Sequence, residues 1–146
     1  MDKVKIIKGG MAIDDRGEVG FVNDFDFGGI KRFYTVTNHS KGFVRAWHSH
    51  RRESKYITTV KGMVLVCTVT IDDWEQPSKD LNVERFVLSE TQPSIIYIPP
   101  GFAHGTMSLT DNAKIIVFSD RTLNESLGDD IRFPARYWNP WCIEER

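Results

Sequence analysis

The chain has 146 residues, 40% of them hydrophobic, 12% aromatic and 27% charged, which is the size and composition of one folded domain. Its 19 basic and 20 acidic side chains leave a formal charge of −1. That balance excludes the basic excess of a general nucleic-acid binder, yet allows a few arginines around one phosphorylated small molecule.

Neither the start of the chain nor any later run has the apolar length of a signal peptide or a membrane span. Cys67 and Cys142 are far apart. They make neither a disulfide framework nor a zinc pair, and the expected compartment is a reducing cytoplasm.

Short runs rich in Val, Ile, Thr, Phe and Tyr recur between Gly, Asp, Asn and Pro. In chain order, strands are expected at 17–22, 30–37, 43–50, 55–61, 63–72, 83–88, 94–98, 105–109 and 114–118. In the fifth of these, Met63, Leu65, Cys67, Val69 and Ile71 alternate, so one face is buried. Thr68 and Thr70 restrict burial of the other face to its start. A short helix is expected within 121–129, weakened by Gly128. The pattern is that of an all-β sandwich or small barrel in a single domain, 1–146. Residues 134–146 form an aromatic tail, expected to pack across the barrel or onto a partner chain.

Three of the four histidines sit in two compact motifs. The first runs Gly42-Phe43-Val44-Arg45-Ala46-Trp47-His48-Ser49-His50-Arg51-Arg52-Glu53-Ser54-Lys55. On a strand, His48 and His50 share a face, together with the small Val44 and Ala46. The second is Ile98-Pro99-Pro100-Gly101-Phe102-Ala103-His104-Gly105, a rigid turn that delivers His104. His39, in a polar turn, is expected at the surface. Three histidines in two motifs, beside Arg45 and Lys55, favour a functional cluster over isolated packing. A metal site and a metal-free acid–base site both fit.

Both motifs resemble the signatures of the cupin superfamily. Within it, Val44-Arg45-Ala46-Trp47-His48, Lys55 and the turn before His104 resemble the dTDP-4-dehydrorhamnose 3,5-epimerase family. Asp15-Arg16-Gly17 is similar to a further motif of those enzymes. The resemblance runs from about Asp15 to Phe118. It implies a double-stranded β-helix, the cupin jelly-roll barrel, usually a homodimer. It implies a nucleotide-linked 4-keto-6-deoxy sugar as substrate and no cofactor.

A 4-keto group acidifies the neighbouring C–H bonds, and a neutral imidazole suits their proton transfer near pH 7. By resemblance, His48 is the base and Lys55 faces the enolate oxygen, with His104 in the pocket. Arg45 grips the diphosphate. Arg16, Arg51 and Tyr97 join it as substrate-binding candidates, and His50 is a further catalytic candidate. Strict alternation puts Arg45 and His48 on opposite faces, so both line one pocket only if a bulge or twist near Ala46 and Trp47 resets the register.

Three features depart from the family pattern. The slot of the opposing tyrosine is apolar, nearest Val117. Tyr97, Tyr56 and Tyr137 are the substitutes weighed. The aspartate that partners the catalytic histidine is assigned to Asp130, with Asn139 as rival. The chain is also somewhat short.

His48-Ser49-His50 also resembles the sugar-nucleotide 3,4-ketoisomerases, which serve as the alternative function. A metal-dependent cupin using His48, His50, Glu53 and His104 is the other alternative, although Glu53 follows His50 more closely than that motif prefers. Lys31-Arg32 and Arg51-Arg52 are read first as solvated surface.

Overall fold

The computed structural model describes residues 2–146. Eleven of the elements are β1 (Lys5–Lys8), β2 (Gly10–Asp14), β3 (Gly17–Phe21), β4 (Arg32–Thr37), β5 (Val44–Ser49), β6 (Lys55–Lys61), β7 (Met63–Thr70), β8 (Val83–Ser89), β9 (Ser94–Ile98), β10 (Phe102–Ser108) and β11 (Lys114–Ser119). A short helix α1 (Leu123–Leu127) and strand β12 (Ile131–Arg132) follow. The helix starts at a capping box between Thr122 and Glu125 and ends at Gly128. No helix among the described residues is long and apolar enough to cross a membrane.

Two five-stranded antiparallel sheets face one another. Their orders are β1-β9-β6-β11-β4 and β12-β5-β10-β7-β8. β2 and β3 form a separate hairpin. The expected strands are found within a few residues of their predicted ends. β1, β2 and β12 were not expected: β1 and β2 set adjacent apolar residues, Ile6-Ile7 and Met11-Ala12-Ile13, beside lysine and glycine with no clear period of two, and β12 has only two residues.

Alternation divides the apolar residues into two cores. One lies between the sheets and contains Ile57, Val66, Ile96, Ile98, Ile115 and Val117. The other lies on the outer face of the β5–β10–β7 sheet. There Leu65, Cys67, Val69 and Met107 pack with Trp47, Trp138 and Trp141. The aromatic tail therefore covers the barrel itself. Burying a tryptophan removes a large apolar area from water, and each indole N–H finds a carbonyl: Trp138 Nε1 donates to Ser78 and Trp141 Nε1 to Ala135.

This double covering corrects the reading of β7. Its second face is buried beyond the start, and Thr68 is 0% exposed, because the tail seals one side while the opposite sheet seals the other.

Candidate active site

Between the sheets lies a cavity of about 400 Å³. β5 and β10 supply its histidines. Along that ladder His104 pairs with His48, and the next pair is Thr106 with Arg45. β10 spends one residue, Gly105, where β5 spends two, Ala46 and Trp47. The extra residue is a β-bulge, and it turns Arg45 and His48 to the same side. The register problem posed by the sequence is resolved at the expected place.

The bulge also corrects an expectation. Val44 and Ala46 do not share a face with His48 and His50; they pack against the outer core. Gly105 is required opposite them. A Cβ there would stand 2.5 Å from the Ala46 Cβ and 3.0 Å from the Trp141 ring.

His48, His50 and His104 all line the cavity. The His104 ring centroid lies 5.8 Å from that of His48 and 5.8 Å from that of His50. Burial holds His48 below the ordinary imidazole range, reinforced by Arg132 and opposed by Asp130. Burial, with repulsion from the other two histidines, pushes His104 well below it. Both rings are therefore neutral at pH 7, the state a proton acceptor needs.

Lys55 enters from β6 in the opposite sheet. Its Nζ lies 2.6 Å from Glu53 Oε1 and donates to Tyr34 Oη at 3.2 Å. Glu53 is 1% exposed. Its Oε1 also accepts from Ser119 Oγ at 2.7 Å and from Arg32 at 3.4 Å. Burial pushes this carboxyl up, but the Lys55 and Ser119 hydrogen bonds outweigh burial and hold it lowered.

Arg45 lines the cavity and its Nε donates to Asn38 Oδ1 at 2.7 Å. Asn38 in turn donates to Ser108 Oγ at 2.9 Å. This chain fixes the guanidinium from behind. In all, Arg32, Arg45, Lys55 and Arg132 line the cavity against two carboxylates, Glu53 and Asp130. Histidines apart, the walls carry a surplus of two positive charges.

Several expected site residues lie elsewhere. Arg16 sits in the β2–β3 turn, paired to Asp14 at 2.6 Å and exposed. Arg51 is exposed, its guanidinium over the Trp74 ring at 5.1 Å. Tyr97 lies on the outer side of the first sheet, tilted against Tyr56 with ring centroids 4.9 Å apart. Its neighbours Ile96 and Ile98 point into the core, so alternation turns Tyr97 outward. Asp130 lines the cavity, but its Oδ2 is taken by Arg132 Nε at 3.0 Å. It acts on His48 by charge rather than as a hydrogen-bonded partner. Asn139 accepts from Arg136 at 2.9 Å in the exposed part of the tail. His39 is exposed, as expected.

Sequence reasoning passed over Arg32, Tyr34 and Arg132. Lys31-Arg32 read as surface, yet Arg32, Tyr34 and Val36 alternate inward along β4 and line the cavity. Among the described residues, no three His, Cys, Asp or Glu side chains converge as a metal-ligand set. Glu53, the carboxylate of the metal alternative, has Oε1 taken by Lys55 and Ser119, while its Oε2 lies 3.6 Å from His50 Nδ1.

Two facing antiparallel sheets with a histidine-lined cavity between them define a cupin-type barrel. The family model for dTDP-4-dehydrorhamnose 3,5-epimerase matches residues 3–134, and the chain belongs to that family of isomerases. No curated relative matches it. Solved structures of similar fold include the dTDP-4-dehydrorhamnose 3,5-epimerase of Sulfolobus tokodaii, at 24% identity and a TM-score of 0.74 over 93% of this chain and 80% of that one. The QdtA 3,4-ketoisomerase of Thermoanaerobacterium thermosaccharolyticum, solved with TDP, is 24% identical over 92% and 91% of the two chains, with a TM-score of 0.67. The rmlC epimerase of Mycobacterium tuberculosis is 21% identical, with a TM-score of 0.69; the match covers 84% of this chain and only 66% of that one.

Proposed function

We propose that this protein isomerises a nucleotide-linked 4-keto-6-deoxy sugar by removing a proton next to the ketone and returning one to the resulting enolate. The observation that carries this reading is the opposition across the cavity. His48 and His104 stand on the β5–β10 sheet, and Lys55 and Tyr34 on the other. A hexose ring between them presents one face to a neutral imidazole and the other to a phenol.

In this scheme His48 takes the proton from the carbon beside the carbonyl. The electron pair moves onto the carbonyl oxygen, where the Lys55 ammonium stabilises the charge. Tyr34, hydrogen-bonded to Lys55, returns a proton from the opposite face, which inverts the centre. The phenol recovers its proton from solvent, and His48 releases its own. Arg45 and Arg132 bind the diphosphate, whose two negative charges match the surplus on the walls. Epimerisation at one centre is the outcome this arrangement serves.

Keto transfer is the second reading, favoured by one observation. His50 also faces the cavity, from the same strand as His48. With two imidazoles on one face, one can carry the proton from one carbon to its neighbour while the other carries the hydroxyl proton between the adjacent oxygens.

A panel of 4-keto sugar nucleotides in deuterated buffer, followed by NMR, tests the proposal. His48-dependent deuterium uptake beside the ketone is expected, and the position labelled separates epimerase from ketoisomerase. Uptake with no member of the panel would overturn the reading.

We further propose a homodimer. The β2–β3 hairpin leaves Ile13 75% and Val19 63% exposed, and a second copy would cover them. Sedimentation at micromolar concentration tests this, with a monomer as the contrary result. A reducing cytoplasm suits the two unpaired cysteines, buried Cys67 and exposed Cys142.

A further inference from the structure

We infer that Asp129 is the positioning residue of this site: its main-chain carbonyl fixes the tautomer of His50, and its side chain fixes the loop that follows.

His50 is 6% exposed, and its Nδ1 lies 2.6 Å from the Asp129 carbonyl oxygen. A carbonyl oxygen only accepts, and the Glu53 Oε2 at 3.6 Å from the same nitrogen also favours a hydrogen there, so Nδ1 carries the hydrogen and a neutral ring has its lone pair on Nε2. That Nε2 is buried and has no hydrogen-bond partner among the described residues. It belongs to a ring that lines the cavity. The contact thus leaves Nε2 as the unpaired nitrogen of the ring.

The side chain of the same residue does different work. Asp129 is 5% exposed. Its Oδ1 accepts from the Arg51 N–H at 2.8 Å. Its Oδ2 accepts from the N–H groups of Arg52 at 2.8 Å and Glu53 at 2.9 Å. These three donors immediately follow His50 and lead to the Glu53–Lys55 pair. On the other side, the His50 carbonyl accepts from Gly101 N at 2.9 Å, and Ser54 N donates to Asp120 Oδ1 at 2.9 Å. The segment between β5 and β6 is wrapped on one carboxylate and anchored at both ends. A ring whose base and main chain are both held cannot turn to exchange its nitrogens.

The inference rests on the proposed function only for the use made of Nε2; the tautomer is measurable without substrate. Long-range nitrogen–proton correlation NMR on nitrogen-15-labelled protein should show the neutral His50 ring with its hydrogen on Nδ1 and Nε2 bare. A neutral ring with its hydrogen on Nε2 would overturn the inference outright. In Asp129→Asn, which cannot accept all three loop N–H groups, the second His50 tautomer should appear, and kcat should fall by about 10- to 100-fold with KM unchanged. An unchanged tautomer in that variant, or a loss confined to KM, would also overturn it. Asp129→Glu should restore part of kcat and the single tautomer if it folds. Wild-type protein inactive on every sugar nucleotide would instead sink the functional reading, with the tautomer result standing apart from it.

Discussion

Tyr34 and Val117 are direct partners across the β4–β11 ladder, and both line the cavity. The strand position where the family resemblance leads one to seek a tyrosine is therefore apolar, while its neighbour one strand away is a tyrosine. The hydroxyl of that neighbour reaches Lys55.

Tyr34→Phe removes only this hydroxyl. Net product formation is expected to fall by about 10²- to 10⁴-fold, the usual weight of a positioned proton donor. Deuterium uptake beside the ketone should persist, because His48 can still remove a proton and return a solvent-derived one to the same face. Single-time-point NMR of both quantities checks this. Full inversion at the wild-type rate would exclude Tyr34 as the donor.

Stability should fall as pH drops through the mildly acid range. His48 and His104 are both held below the ordinary value near 6.5. The unfolded chain then binds protons that the folded one refuses, so stability rises with pH across this window. It is fully present above about pH 6.5 and lost progressively as pH falls towards the folded-state values. Thermal midpoints at pH 8, 7, 6 and 5 measure the slope. His104→Gln should flatten it; a slope identical to wild type would mean that His104 contributes none of it.

The Glu53–Lys55 pair gives a way to separate stability from chemistry. Glu53→Ala leaves a buried ammonium uncompensated and is expected to cost about 3–5 kcal/mol in urea unfolding. The double variant Glu53→Leu, Lys55→Met removes both charges at similar volume. It should recover most of that loss while remaining inactive. A double variant as unstable as the single one would show that the charge pair is not the source of the cost.

Gly105→Ala forces a methyl against Ala46 and the Trp141 ring. Overpacking of this kind costs about 1–3 kcal/mol, and here it also presses on the bulge that turns Arg45 and His48 together. Unfolding midpoint and KM should therefore worsen jointly. A variant with normal KM would uncouple the bulge from substrate binding.

The barrel was legible because β-branched and aromatic runs alternate between turn residues, and the two histidine motifs name the ladder that carries the site. What escaped is what alternation cannot express. The bulge was needed to reconcile Arg45 with His48, but only the register shows that Ala46 and Trp47 share one step. Asp129 and Asp130 are adjacent and chemically alike. Which of them holds His50 and which faces the cavity depends on how β12 enters the sheet. Tyr34 and Arg32 were hidden because an inward polar residue on a strand looks the same as an outward one until the opposite sheet is in place. For Tyr97, the flanking Ile96 and Ile98 carry the signal that its ring points away from the cavity.

The segment from Asp129 to Trp141 has two attachments that a linear reading keeps apart. Its first residues reach His50 and the cavity, and its last cover the outer core. During ribosomal synthesis, the strands through β11 emerge before this segment does. A nascent barrel at that stage has all three histidines but no anchor for His50 and an open hydrophobic flank. In the folded protein the anchor of His50 and the cover of that flank are therefore supplied by one continuous segment, so a truncation that removes it exposes the flank and also reaches the site.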